Sequence, residues 1–234
     1  MNNSNYTYRP YELDRKETDR RHFYPCVQQI YADANLRLLT KDEVDHLFVG
    51  YNARSLDNTF GVDYVCQRPN GTYVFIQSRL KPKRYSDFQD FNLRYNRVST
   101  TKEDTEFRKI QTFFDMFEKG LFVFRNGHKQ VDCPFYLVYA FIDDDTQQII
   151  KRVTVNLHVL YYLFAIGKIK PVTNDDKHRY SSYHGYWDEE EQVFYAPIVL
   201  DRDKSSNFIA FNVRQMLKHF PKWIWIKAVG EWKF

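Results

Sequence analysis

Asp63 stands in the run Phe60-Gly61-Val62-Asp63-Tyr64-Val65, and the turn Pro69-Asn70-Gly71 leads on to Tyr73-Val74-Phe75-Ile76-Gln77-Ser78-Arg79-Leu80. An Asn-Gly turn between two alternating apolar runs predicts a β-hairpin. Side chains alternate faces along a strand, so Val74, Ile76 and Leu80 point one way while Tyr73, Phe75, Gln77 and Arg79 point the other. Pairing across the hairpin then brings Asp63 close to Gln77 and Arg79. A carboxylate, an amide oxygen and a cation converging on a sheet surface form a layout suited to metal-dependent phosphodiester cleavage.

The arrangement resembles the PD-(D/E)xK (restriction-endonuclease-like) nuclease superfamily, whose members carry an Asp on one strand and, after a hairpin, an acidic-x-Lys tripeptide on the next. Gly61-Val62-Asp63 matches the first motif and Gln77-Ser78-Arg79 the second. Gln77 stands in the acidic slot, as in some members, and Arg79 stands in the lysine slot. A guanidinium does not deprotonate and cannot act as a base, but it can hold a water or a phosphate oxygen. The resemblance spans roughly Glu43 to Ile142. It implies a restriction-endonuclease-like core and one Mg²⁺ (or Mn²⁺) ion, with Asp63 as principal ligand and Gln77 as a neutral one. It also implies a further carboxylate from upstream, Glu43 or Asp57, and Arg79 orienting the attacking water or stabilising phosphorane charge. Many relatives pair to cut two strands, so a homodimer is compatible with the resemblance.

A basic strip follows the hairpin. Arg79, Lys81, Lys83 and Arg84 crowd together, and Arg94, Tyr95 and Arg97 come shortly after. From Arg79 to Lys109 there are nine Lys or Arg against five Asp or Glu, a surplus equal to the +4 of the whole chain. The positive field is thus concentrated beside the proposed site, where a phosphate backbone would lie. Lys81, Lys83, Arg84, Arg94, Tyr95 and Arg97 are the candidate nucleic-acid contacts, with DNA the expected partner. Tyr95, and Tyr180, Tyr183 and Tyr186 around Arg179 and His184, interleave rings with cations as base-stacking loops do, and as plain surface loops also do.

The segment Thr105 to Lys119 predicts a helix, with Asp104 or Thr105 as N-cap and Gly120 as stop. Ile110, Phe113 and Phe117 make its apolar stripe, with Phe114 on the flank. Glu106 falls within that stripe at helical spacing. A carboxylate there either reaches solvent and complements the helix dipole, or supplies polar contacts with Lys109 beside the metal. Phage-type members of the superfamily often carry a Thr-Glu-x-x-Lys-Ile helix after the core hairpin, which Thr105-Glu106-Phe107-Arg108-Lys109-Ile110 matches.

A chain of 234 residues without linker-like, repetitive or low-complexity tracts fits a charged N-terminal arm over 1–22 and a single domain over 23–234. Arg15, Lys16, Arg20 and Arg21 make the arm basic. No secretory leader or membrane-length apolar run is evident, and three widely spaced cysteines suit a reducing cytoplasm without zinc spacing. Phosphate-cradling, dinucleotide, His-Glu-x-x-His and Gly-x-Ser-x-Gly patterns are all missing. The acidic clusters Asp143 to Asp145 and Asp188 to Glu191 read as solvated turns.

Periodicity predicts helices over Pro25–Ala34, Lys41–Leu47 (with a Thr40/Glu43 capping box) and Val213–His219, beside the one from Thr105. Strands are predicted over Gly61–Gln67, Thr72–Leu80, Asp90–Asn96, Phe135–Ile142, Val193–Val199, Phe208–Phe211 and Trp223–Val229, and Val153–Ile169 begins as strand and continues as helix. Phe135–Ile142, apolar throughout, reads as buried on both faces. The expected class is α/β, or α+β, with a mixed sheet flanked by helices. Two function classes remain open: a Mg²⁺-dependent endodeoxyribonuclease, or the same fold with a decayed site that binds nucleic acid or a protein partner, for example a viral accessory or inhibitor protein.

Overall fold

The computed structural model describes residues 24–97, 106–128, 130, 132, 134–143, 145–172, 185–200, 206–220, 226–230 and 232. The N-terminal arm, Tyr180, Tyr183, His178 and His184 lie outside them, as does the side chain of Arg97. No described helix is long and apolar enough to cross a membrane.

Helices begin where side chains satisfy their first free N–H groups. Among the described side chains of α1 (Tyr24–Asp33), Ile30 and Tyr31 are buried. After β1 (Arg37–Leu38), α2 (Lys41–Asp45) starts from the expected capping box, with the Thr40 hydroxyl taking the Glu43 N–H and the Glu43 carboxylate taking the Thr40 N–H. A further helix, α3 (Ala53–Phe60), was not among the expected elements. Its signals are local: Asn52 and Ser55 cap it reciprocally, and Gly61 closes it at φ +70°, a left-handed backbone that glycine adopts without strain.

The hairpin follows, with β2 (Tyr64–Gln67) antiparallel to β3 (Tyr73–Pro82) and Tyr64 opposite Ile76. β4 (Asp90–Arg97) then leaves this sheet, and α4 (Glu106–Glu118) carries the chain back to β5 (Phe135–Ile142), which runs parallel to β3 with Arg79 opposite Tyr139. β6 (Ile149–Asn156) turns directly into α5 (Leu157–Ala165). The remaining elements are β7 (Ile169–Val172), β8 (Tyr186–Asp188), β9 (Val193–Leu200), β10 (Ser206–Asn212), α6 (Val213–His219) and β11 (Ile226–Gly230).

These strands make two mixed sheets flanked by helices rather than one. The first has the order β1-β2-β3-β5-β6-β11, and the second β4-β10-β9-β7 with β8 beside β9. Alternation along β3 and β5 divides their side chains between two cores. Phe75, Phe135, Leu137, Tyr139 and Phe141 join the main core with the helices and the second sheet, while Val74, Ile76, Val138 and Ala140 meet Ile30 and Tyr31 of α1 on the other face. β5 is therefore buried on both faces, as its composition predicts.

Phe113 of α4 is the hub of the main core. Its ring lies 4.7 Å from that of Phe135, 4.9 Å from Phe75, 5.0 Å from Phe122 and 5.9 Å from Phe60. It is fully buried, so truncation leaves a cavity that four surrounding rings cannot fill without leaving their own contacts. Phe113→Ala should lower unfolding free energy by about 3–5 kcal/mol, read from the urea midpoint at constant slope. Val229→Ala, at a site exposed to solvent, should change it by less than about 0.5 kcal/mol.

Candidate functional site

The proposed centre lies where α3 ends and the hairpin begins. The left-handed turn at Gly61 redirects the chain, Val62 is buried, and Asp63 arrives one residue before β2, opposite Gln77 in the register set by Tyr64 and Ile76. The Asp63 N–H donates to the Ile76 carbonyl at 2.8 Å, and Asp63 Oδ2 accepts from the Ser78 N–H at 2.7 Å. A carboxylate oxygen thus takes a place in the ladder that a main-chain carbonyl would otherwise hold, which fixes the side chain against β3.

Gln77 is 4% exposed, and its Oε1 is buried without a hydrogen-bond partner among the described residues. A buried acceptor lacking a donor is costly and calls for a ligand, water or cation. A side chain at Gly61 would meet Gln77 Nε2 at 3.5 Å and the Lys109 stem at 3.7 Å, so Gly61, Gln77 and Lys109 adjoin one another. The helix α4 thereby brings the Lys109 stem beside Gly61 and Gln77.

Arg79 and Glu106 take different places from those expected. Glu106 is 5% exposed, neither reaching solvent nor left over for a cation: it forms an ion pair with Arg79, and its Oε2 accepts the Arg94 N–H at 2.6 Å. Both oxygens are committed, linking β3, α4 and β4. Tyr139, which no local pattern singles out, lies opposite Arg79 on β5. Burial pushes its phenol well above the ordinary range, against the opposing influence of Arg79 and a hydrogen bond with Asn92, so the hydroxyl stays protonated.

Glu43 is not brought to this group. It holds the Thr40 cap and an ion pair with Arg37 at 2.6 Å, and Arg37 sits opposite Gln67 at the far end of β2. That end is about 13 Å along the strand from Asp63, at roughly 3.3 Å per residue. Arg37, Glu43, His46 and Arg125 instead line a separate open cleft of about 500 Å³.

The cations of the strip have individual positions. Lys83 pairs with Asp143 at 2.7 Å, and this bond, aided by the Thr146 and Asp145 N–H groups, holds the Asp143 carboxyl down to about 2. Arg84 lies 5.1 Å over the Tyr85 ring. Arg94 packs 6.0 Å over Phe208, and Tyr95 packs against the main core rather than standing among polar groups. Both acidic clusters contain turns as expected, with Asp143 and Asp188 each accepting N–H groups from residues two and three further on.

The donor set suits a single hard cation held lightly. Asp63 offers a carboxylate and Gln77 an orphaned amide oxygen, whereas no cluster of three or more His, Cys, Asp or Glu occurs among the described residues. Mg²⁺ commonly keeps several waters and takes one or two carboxylates, so such a set can serve it.

Removing the Glu106 carboxylate strands the Arg79 guanidinium and an Arg94 N–H. Glu106→Ala should cost about 3 kcal/mol in urea unfolding, and Glu106→Gln, which keeps an acceptor, clearly less. In a double-mutant cycle with Arg79→Met the two losses should fall short of additive by about 1 kcal/mol or more; strict additivity would show that the pair contributes nothing jointly.

Comparison with known proteins identifies no relative: no family model matches the chain, and no curated protein or solved structure is significantly similar to it.

Proposed function

We propose that the chain is a divalent-cation-dependent nuclease hydrolysing phosphodiester bonds in DNA, built on a restriction-endonuclease-like core. The observation that carries this reading is Asp63 held opposite Gln77, whose buried Oε1 has no donor, with the Lys109 stem alongside. The order of elements agrees with it. In the first sheet β1, β2 and β3 are antiparallel neighbours, with α2 and α3 between β1 and β2, and after β4 has left for the second sheet α4 leads to β5, parallel to β3. The surplus of cations between Arg79 and Lys109 supplies the field that a polyanion needs.

Within this reading, Asp63 and Gln77 would hold Mg²⁺ or Mn²⁺, which supplies Lewis acidity toward a phosphate oxygen and acidifies bound water. Lys109, whose stem adjoins Gly61 and Gln77, carries a compact cation of the kind that positions a water or a phosphoryl oxygen, and Arg79 is paired with Glu106. Arg79 is then a positioning residue acting through β3. Glu106 keeps α4, and with it Lys109, in register with the hairpin.

A second reading rests on a specific observation. Asp63 Oδ2 is committed to the Ser78 N–H and Arg79 to Glu106, so the same groups also serve as braces for a binding module without catalysis.

Asparagine separates the two, because its side-chain oxygen can still accept the Ser78 N–H while the charge is lost. Asp63→Asn should leave the fold intact and lower Mg²⁺- or Mn²⁺-dependent plasmid nicking by about 10²-fold or more. Lys109→Met should do the same, while Arg79→Lys should retain activity. Undiminished nicking by a folded Asp63→Asn protein would overturn the assignment.

Gln77→Glu adds formal charge beside Asp63. It should tighten Mn²⁺ binding by about tenfold in isothermal titration. Absence of Mn²⁺ binding in both wild type and Gln77→Glu would favour the binding module.

A further inference from the structure

β3 and β4 are joined by the segment Lys83–Gln89, which opens with a 3₁₀ turn over Lys83–Tyr85. Phe88 on this segment is 53% exposed, the most exposed large apolar side chain among the described residues. A single exposed apolar group is ordinary. Here it is the anchoring beneath it that is unusual. Lys151 of β6 is 2% exposed and donates from Nζ to the Phe88 carbonyl at 2.7 Å, with its ammonium 4.3 Å from the ring centre of Trp232 and 4.9 Å from that of Phe141. Burying an ammonium costs several kcal/mol unless it is matched, and a carbonyl and two ring faces match it here.

The rest of the segment is held as firmly. The Phe88 N–H donates to the Tyr85 carbonyl at 3.1 Å, the Gln89 carbonyl accepts the Val213 N–H at 3.1 Å, and Lys83 is tied to Asp143 at 2.7 Å. Tyr85 packs on the main core, and its ring lies 6.2 Å from the Phe88 ring at an interplanar angle of 24°. An aromatic face is thus presented to solvent on a fixed backbone. Arg84, whose guanidinium lies 5.1 Å over the Tyr85 ring, supplies a cation beside the rings, Lys81 precedes the segment, and Asp87 is its one acid. Rings with cations at their side are what unpaired bases use: the base stacks and its phosphate meets the charge.

We propose that Phe88, backed by Tyr85, is a stacking platform for an unpaired nucleobase of a nucleic-acid single strand. It lies beyond Pro82, which is about 10 Å along β3 from Arg79. The inference rests on the nucleic-acid reading above and adds to it a subsite for single-stranded substrate. DNA and RNA share the stacking chemistry, so the strand type is decided by the probes.

The test measures binding of fluorescently labelled oligodeoxythymidylate and oligouridylate, each about 12 nucleotides long, to the full chain without divalent cation. Phe88→Ala should weaken binding of the preferred strand about tenfold without altering the slope of log K against log salt, since no cation is removed. Phe88→Leu should resemble Phe88→Ala because it lacks a π-face. Phe88→Trp should restore affinity and add tryptophan fluorescence that the strand quenches. Joint neutralisation of Lys81 and Arg84, which leaves the Lys83–Asp143 tie in place, should flatten the salt slope. Wild-type affinity in Phe88→Ala, or in Phe88→Leu, would overturn the platform while leaving the nuclease reading in place. Loss of Asp63-dependent nicking as a property of the wild type would overturn that reading and not the platform.

Discussion

Glu106 enters α4 on the face turned toward the core, where a carboxylate left without partners would cost several kcal/mol. Its Oε1 meets Arg79 of β3 and its Oε2 meets the Arg94 N–H of β4. These three elements belong to different parts of the fold: β3 to the first sheet, β4 to the second, and α4 to the crossover between β3 and β5. One residue therefore couples the two sheets to the helix that joins parallel strands. Its neighbours in the helix, Ile110 and Phe113, add the apolar contact that an ion pair alone does not supply. The charge defines which turn of the helix meets which strand; the rings supply most of the free energy of the docking.

That constraint shapes the chemistry of the centre. Arg79 is taken up by Glu106, and the Lys109 stem, one helical turn further along α4, adjoins Gly61 and Gln77. Gly61 contributes through its backbone. Its left-handed backbone, at φ +70°, turns the chain from α3 into the hairpin, and Gln77 and the Lys109 stem pack beside that turn. In the proposed nuclease reading Asp63 serves both fold and site, because the oxygen that caps the ladder at Ser78 also holds the carboxylate opposite Gln77. Such double use is physically economical, and it also explains why the same residues are compatible with a purely structural role.

Much of the local structure was legible from pattern. The Asn-Gly turn, the alternation along Tyr73–Leu80, the Thr40/Glu43 capping box and the apolar run of β5 each depend on residues close in sequence and form where expected, while the buried stripe of α4 takes in Phe114 and leaves Phe117 partly buried. Helix α3 was equally local, since Asn52 and Gly61 bracket it, but its mean apolar content is low and only Leu56 and Phe60 are buried.

The site was less legible, for a different reason. That Asp63 and Gln77 face each other follows from a hairpin and a period of two. That Glu106 pairs with Arg79, that Tyr95 turns to the core and that Glu43 stays at the far end of β2 depend on contacts between distant segments, which leave no periodic trace. The division of the strands into two sheets is of the same kind. Whether β4 stays beside β3 or leaves it for β10 is decided by where β5 inserts, a pairing that joins residues some sixty positions apart. Short-range hydrogen bonding and side-chain alternation are written in neighbouring residues, whereas the choice of partner for a buried charge or an open strand edge is made only when the whole core closes.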